Sequence, residues 1–272
     1  VCPRVTLPTV RASVEYLNSR NDVVPHHFGV IGFSFGGVSA ILAASQEELA
    51  DDVKGAVLFG GYCCLERTLA CMLTGRHQWN GQDYLLDPDP YGRWVVANNY
   101  LTRVPGYEDA ADVAHAMGKL ASEASGRRIS AWEPYHDPMI RNLRETIAPR
   151  RQPLFDILAT PTTEPRPDAA ACRAFAKELA DTCRSREPML DPSVCLHEVR
   201  VPTQIIHGRG DRLVPFTEGR RLMERLPPSA QRGVTITRMF NHSKDHVPGS
   251  PVHHAYEAGL LFHALHKLVN TV

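Results

Sequence analysis

Residues His27-Phe28-Gly29-Val30-Ile31-Gly32-Phe33-Ser34-Phe35-Gly36-Gly37-Val38 run straight into the small, apolar stretch Ser39 to Ala44. A short β-branched run, then Gly-x-Ser-x-Gly-Gly, then an Ala/Leu-rich helical pattern reads as strand, sharp turn and helix. A serine at such a turn is lifted out of the sheet edge-on, in a strained backbone conformation. The residues two before and two after it nearly touch, which is why both are expected to lack a Cβ. Ser34 is therefore the candidate nucleophile. The turn opens a helix, so the Phe35 amide is expected to face the point where negative charge develops on an attacked carbonyl.

Around this stretch the chain alternates elements. Val10, Val14 and Leu17 fall at helical spacing and predict an amphipathic helix over Thr9–Ser19. Asn21, Asp22 and Pro25 break the chain before the serine-bearing strand. After a helix expected over Ala40–Ala50, Val53–Phe59 reads as a second strand ending at Gly60-Gly61-Tyr62, and two strands joined by a helix form a parallel unit. Between Leu65 and Val199 the pattern turns helical, as in Tyr107–Ser122 and Ala169–Arg184, with breaks such as Asp87-Pro88-Asp89-Pro90. Most bulky aromatics lie here, among them Trp79, Tyr84, Tyr91, Trp94, Tyr100 and Trp132. They either line an acyl-sized pocket or fill the insertion's own core.

Strand periodicity returns at Thr203–Gly208, followed by Arg209-Gly210-Asp211. An aspartate on a strand-end loop is well placed to orient a histidine, and Asp211 is the candidate acid; its plainer role is to cap its own loop or the helix expected over Phe216–Leu226. Val234–Phe240 alternates as a last strand and runs into Asn241-His242-Ser243-Lys244-Asp245-His246. His242, expected within two residues of that strand's end, is preferred as the base over His246, which sits further along a Pro/Gly loop. His253, His254, His263 and His266 belong to a closing helix with Leu260, Leu261, Leu265 and Leu268, at spacings that do not suggest a metal site.

The order Ser34, Asp211, His242 on such elements resembles the α/β-hydrolase family, serine esterases and lipases in particular. The likeness covers roughly residues 1–62 and 200–272. It implies an α/β fold, a mostly parallel sheet flanked by helices. Residues 1–64 and 200–272 would form the core, and residues 65–199 a helical cap. It further implies a serine hydrolase acting on a carboxylic ester or related small acyl compound: His242 takes the proton of Ser34, Asp211 stabilises the imidazolium, and the Phe35 amide supplies an oxyanion donor. No cofactor or metal is required. Family members carry several strands before the serine, whereas about 30 residues precede it here. Those strands are expected from a preceding segment or from a protein partner, or are absent. An assembly subunit on the same fold, with little catalysis, is the second reading.

Composition narrows the partners. Lys plus Arg equal Asp plus Glu at 30 each, without blocks of like charge, which points away from nucleic acid and anionic membrane surfaces. No run of eighteen apolar residues exists to span a membrane. The seven cysteines form no Cys-x-x-Cys pair, so reduced thiols, and with them an intracellular setting, are expected over a disulfide framework.

Overall fold

A computed structural model describes residues 3–239 and 250–269 of the 272-residue chain. They form two compact units, one of residues 3–65, 187–239 and 250–269, the other of residues 66–186.

The first half of the discontinuous unit begins with helix α1 (Pro3–Asn18). It starts six residues before the expected Thr9 and runs through Pro8, which removes one intrahelical donor and crowds the carbonyl of Arg4. Strand β1 (Phe28–Phe33) then leads through the serine turn into α2 (Gly36–Ala44). That helix is shorter than the Ala40–Ala50 expectation at its far end, where Glu47–Leu49 is a separate 3₁₀ turn, and longer at its start. Strand β2 (Val53–Phe59) falls on the expected residues.

Residues 66–186 hold the body of α3 (Leu65–Thr74), a hairpin of β3 (Arg76–Trp79) and β4 (Gln82–Leu85), then helices α4 (Tyr91–Tyr100), α5 (Ala111–Arg127), α6 (Asp137–Thr146), α7 (Gln152–Leu158) and α8 (Ala169–Arg186). The hairpin turns on Asn80 and Gly81, both at positive φ (47° and 76°), the arrangement that lets a two-residue turn follow strand twist. Trp94 is fully buried and donates its indole N–H to the Leu158 carbonyl (3.0 Å), so it fills this unit's core. The neighbouring Arg93 guanidinium donates to the carbonyls of Leu158 (2.8 Å) and Met72. Burial lowers its pKa to about 10. Bidentate Arg151–Asp112 and Arg144–Asp156 pairs tie α5 and α6 to the α7 region.

The chain returns to the first unit with β5 (Thr203–Gly208), α9 (Phe216–Arg225), β6 (Gln231–Thr237) and α10 (Pro251–Val269). The four strands β1-β2-β5-β6 pair in that order, all parallel. Alternation along each strand sends side chains to two faces. Leu58 packs toward the start of α2, and Ile205 toward Gly219 of α9. On the other face Val57, Phe59 and Ile206 form a core with Ala264 of α10, Leu261 and Leu265 packing beside it. Each such buried side chain contributes about 1.5–3 kcal/mol. The Phe33 ring stacks on Phe59, with centroids 4.8 Å apart, yet Phe33 and Ile31 stay more than half exposed on β1, at the sheet's edge among the described residues.

β6 corrects the expected Val234–Phe240: it starts at Gln231 and ends at Thr237. Its ladder stops where β5 does, at the Gly208–Thr237 pair, and only Arg209 N–H to Thr237 O (2.8 Å) continues it. His242 is thus five residues past the strand, not two, and both it and His246 lie outside the described residues. Among the described residues Cys172, Cys183 and Cys195 are free thiols. Among the described residues no helix is long and apolar enough to cross a membrane.

Candidate active site

In a parallel sheet every strand delivers its following loop to the same edge. That edge here collects Ser34 after β1, Gly60 to Cys64 after β2, the 209–215 loop after β5 and the start of the segment after β6. Ser34 and Asp211 hang from strands two places apart, roughly 10 Å at ordinary strand spacing.

Ser34 has φ +54°, a conformation that costs a non-glycine residue about 1–3 kcal/mol. The ladder sustains it, since its N–H donates to the Phe59 carbonyl (2.7 Å) one step beyond the last β1–β2 pair. The chain then closes at once, with Gly37 N–H to Ser34 O (2.9 Å) and Val38 N–H to Phe35 O (3.1 Å). Phe35 is the N-cap of α2, so its amide is among the helix-start donors without an intrahelical acceptor.

The glycines divide unequally. A Cβ on Gly32 would sit 2.3 Å from the Gly36 carbonyl oxygen and 2.6 Å from the Gly37 Cα, both backbone. Gly36, by contrast, has nothing within 4 Å of its Cβ direction, so the expectation that both flanking residues must lack a Cβ holds only for the first. Gly37 is the second close approach, its Cβ direction 3.4 Å from the Gly61 Cα.

Asp211 is 1 % exposed. Its Oδ1 accepts from the amides of Leu213 (2.9 Å) and Val214 (3.0 Å), so it does cap its own loop. Its Oδ2 lies 3.6 Å from Nε2 of His207, a wholly buried side chain at the end of β5. That nitrogen also approaches the Val214 carbonyl at 2.9 Å, so His207 spans the acid's loop from below. Sequence reading passed over His207 and over Glu218, which is buried on α9; a histidine ending an apolar strand and a carboxylate one turn before Leu222 on a helix's buried face are the signals that could have found them.

Among the described residues no group of three or more His, Cys, Asp and Glu side chains could hold a metal ion. A cavity of about 610 Å³ opens beside Val53 and Val201, at the opposite end of the sheet, and is lined by none of Ser34, Phe35 or Asp211.

The described residues thus form an α/β fold with an α/β-hydrolase-like sheet: parallel strands flanked by helices, a serine at positive φ on a strand-to-helix turn, and a buried aspartate after a strand two places away. Residues 3–75, which contain that turn, match the model of the dienelactone hydrolase family. No curated protein matches the chain. Among solved structures, an α/β hydrolase from a Medee basin deep-sea metagenome library aligns at TM-score 0.45 and 15% identity, over 96% of this chain and 70% of its own. An α/β-fold hydrolase of Bacillus anthracis str. Sterne aligns at 0.43 and 12%, over 100% and 74%. The monoacylglycerol lipase of Paleococcus ferrophilus gives 0.38 and 15%, over 97% and 76%.

Proposed function

We propose that the chain is a serine hydrolase that cleaves a carboxylic ester, or a related acyl compound, through an acyl-enzyme. The observation that carries this reading is Ser34 itself, held at φ +54° between a parallel strand and a helix start. In the proposed reaction Ser34 Oγ attacks the acyl carbon and its proton passes to the imidazole of His242. The Asp211 carboxylate steadies the imidazolium, and the Phe35 amide faces the oxyanion. Collapse breaks the bond to the alcohol, which leaves with that proton. Water, deprotonated by the same imidazole, then releases the acid and restores Ser34. The name of the family matched over residues 3–75 makes a lactone, an internal ester, a sensible first substrate class beside simple esters.

A fluorophosphonate probe tests the reading. Labelling at Ser34 that S34A and H242A both abolish is the expected result; H246A should leave it in place. Folded protein that takes no label would overturn it. The second reading, an assembly subunit on the same fold, draws support from the exposed Ile31 and Phe33 on the edge strand β1. It predicts no label together with a partner bound at that edge.

A further inference from the structure

Glu218 is 1 % exposed, at the start of α9, on the buried face of the helix. One of its oxygens, Oε2, accepts two successive backbone amides, those of Cys63 (3.1 Å) and Cys64 (2.9 Å). The other, Oε1, lies 3.6 Å from Nη1 of Arg221. Burying a carboxylate is costly, and charge-assisted bonds to two amides offset that cost only in a fixed geometry. The segment so gripped is the loop that follows β2.

That loop is a wall of the Ser34 turn. Gly60, at φ +62°, turns the chain while its amide bonds to the Ile206 carbonyl (2.9 Å). Gly61 then meets Gly37 backbone to backbone, each Cβ direction ending 3.4–3.9 Å from the other's Cα. The Tyr62 ring lies 6.0 Å from the ring of Phe35, the residue after the serine, and its hydroxyl donates to the Leu190 carbonyl (2.6 Å). Next to Glu218, Gly219 brings α9 against His207; a Cβ there would lie 2.7 Å from the imidazole Nδ1. One helical turn therefore braces both the loop beside Ser34 and the residue beneath Asp211.

We infer that Glu218 is a positioning residue for the proposed hydrolysis: by holding the Cys63 and Cys64 amides it fixes Gly61 and Tyr62 against Gly37 and Phe35, and so sets the direction of the Ser34 side chain and the Phe35 amide. The inference rests on the serine-hydrolase reading for its consequence in turnover, and on the contacts alone for its consequence in rigidity. Both bonds reach a single oxygen, so Gln keeps them and Met, of similar length, does not.

The test compares wild type, E218Q and E218M. Turnover of p-nitrophenyl acetate is expressed per fluorophosphonate-titrated site, which removes any loss from unfolded protein. Hydrogen exchange is followed in peptides covering residues 33–38 and 60–64. E218M is expected to lower kcat per site by about 10- to 100-fold with KM changed far less, because displacing a reacting group by a fraction of an ångström has effects of this order. It should also speed exchange in both peptides. E218Q should remain within about threefold of wild type, as neutral acceptors weaken rather than break the bonds. E218D, one methylene short, replaces E218M if the latter does not fold. Wild type that takes no label defeats the serine-hydrolase reading, and the exchange comparison still decides the positioning role. Unchanged exchange at residues 33–38 in E218M, or an E218Q as impaired as E218M, overturns it.

Discussion

Two glycines in one short motif should respond in opposite ways to the same substitution. In G32A the new methyl carbon starts 2.3 Å from the Gly36 carbonyl oxygen, and Cβ contacts essentially never fall below 3.0 Å, so the turn must open by about 0.7 Å. The obstructing atoms are backbone, and neither can rotate away. Overpacking of this kind costs about 1–3 kcal/mol, and each kcal/mol lowers the melting midpoint by about 2–4 °C in a protein of this size. The displacement acts on Ser34, so turnover should fall by about 100-fold. G36A meets nothing within 4 Å and adds a helix-favouring residue to the first turn of α2. It should be neutral, or stabilising by about 0.4–1 kcal/mol. Thermal unfolding followed by circular dichroism, paired with the rate of fluorophosphonate labelling, measures both effects. Equal losses in the two variants, or a G32A that melts and labels like wild type, would refute the steric account of the turn.

D211N keeps an oxygen for the Leu213 and Val214 amides but no charge for an imidazolium, so it should melt close to wild type while turnover drops by about 100- to 10,000-fold; D211A should lose stability as well, and denaturant titration separates the two. Asp112, bonded first by Arg151 and then by the Ala148 and Val113 amides, has its pKa lowered. Its contribution to stability is therefore complete above the ordinary carboxylate pKa and is lost as pH falls through the lower, folded value. The urea midpoint should decline from about pH 4 downward, and D112N should flatten that decline while lowering the midpoint at pH 7. Burial raises the thiol of Cys183 to about 12 and that of Cys195 to about 11. Iodoacetamide at pH 8 should thus leave both intact in folded protein and alkylate both once the protein is unfolded in urea, and peptide mapping reads the difference.

The strands β2 and β5 could be read to the residue because their apolar runs are bounded by glycine and acidic turn residues, and buried parallel strands have no other pattern to offer. β6 could not. Gly233, at φ +131°, interrupts its alternation, so the readable part began only at Val234 and the reading overran the end of the partner strand. The β3–β4 hairpin was legible in Asn80-Gly81 and was missed because the surrounding helices dominated the segment. At the candidate site, the glycine spacing pointed to Ser34 and the strand-end position to Asp211; the structure adds the positive φ of the one and the burial of the other. His207 and Glu218 were harder, because each is a polar residue in an apolar context that bonds to backbone groups, for His207 across its own loop to Val214 and for Glu218 in a loop more than 150 residues earlier. No periodicity encodes such bonds.

The order in which this sheet must assemble follows from its threading. β1 and β2 lie close together in sequence and can pair early, but β2 finds its other neighbour only at Thr203, beyond the whole of residues 66–186. Closing that long excursion costs about 2 kcal/mol more in chain entropy than closing the connection between β1 and β2. During synthesis the β1–α2–β2 half emerges before β5, with one flank of β2 unpaired until the polypeptide comes back. Refolding should therefore be slow and sensitive to concentration, with the interval before β5 docks as its most hazardous stage.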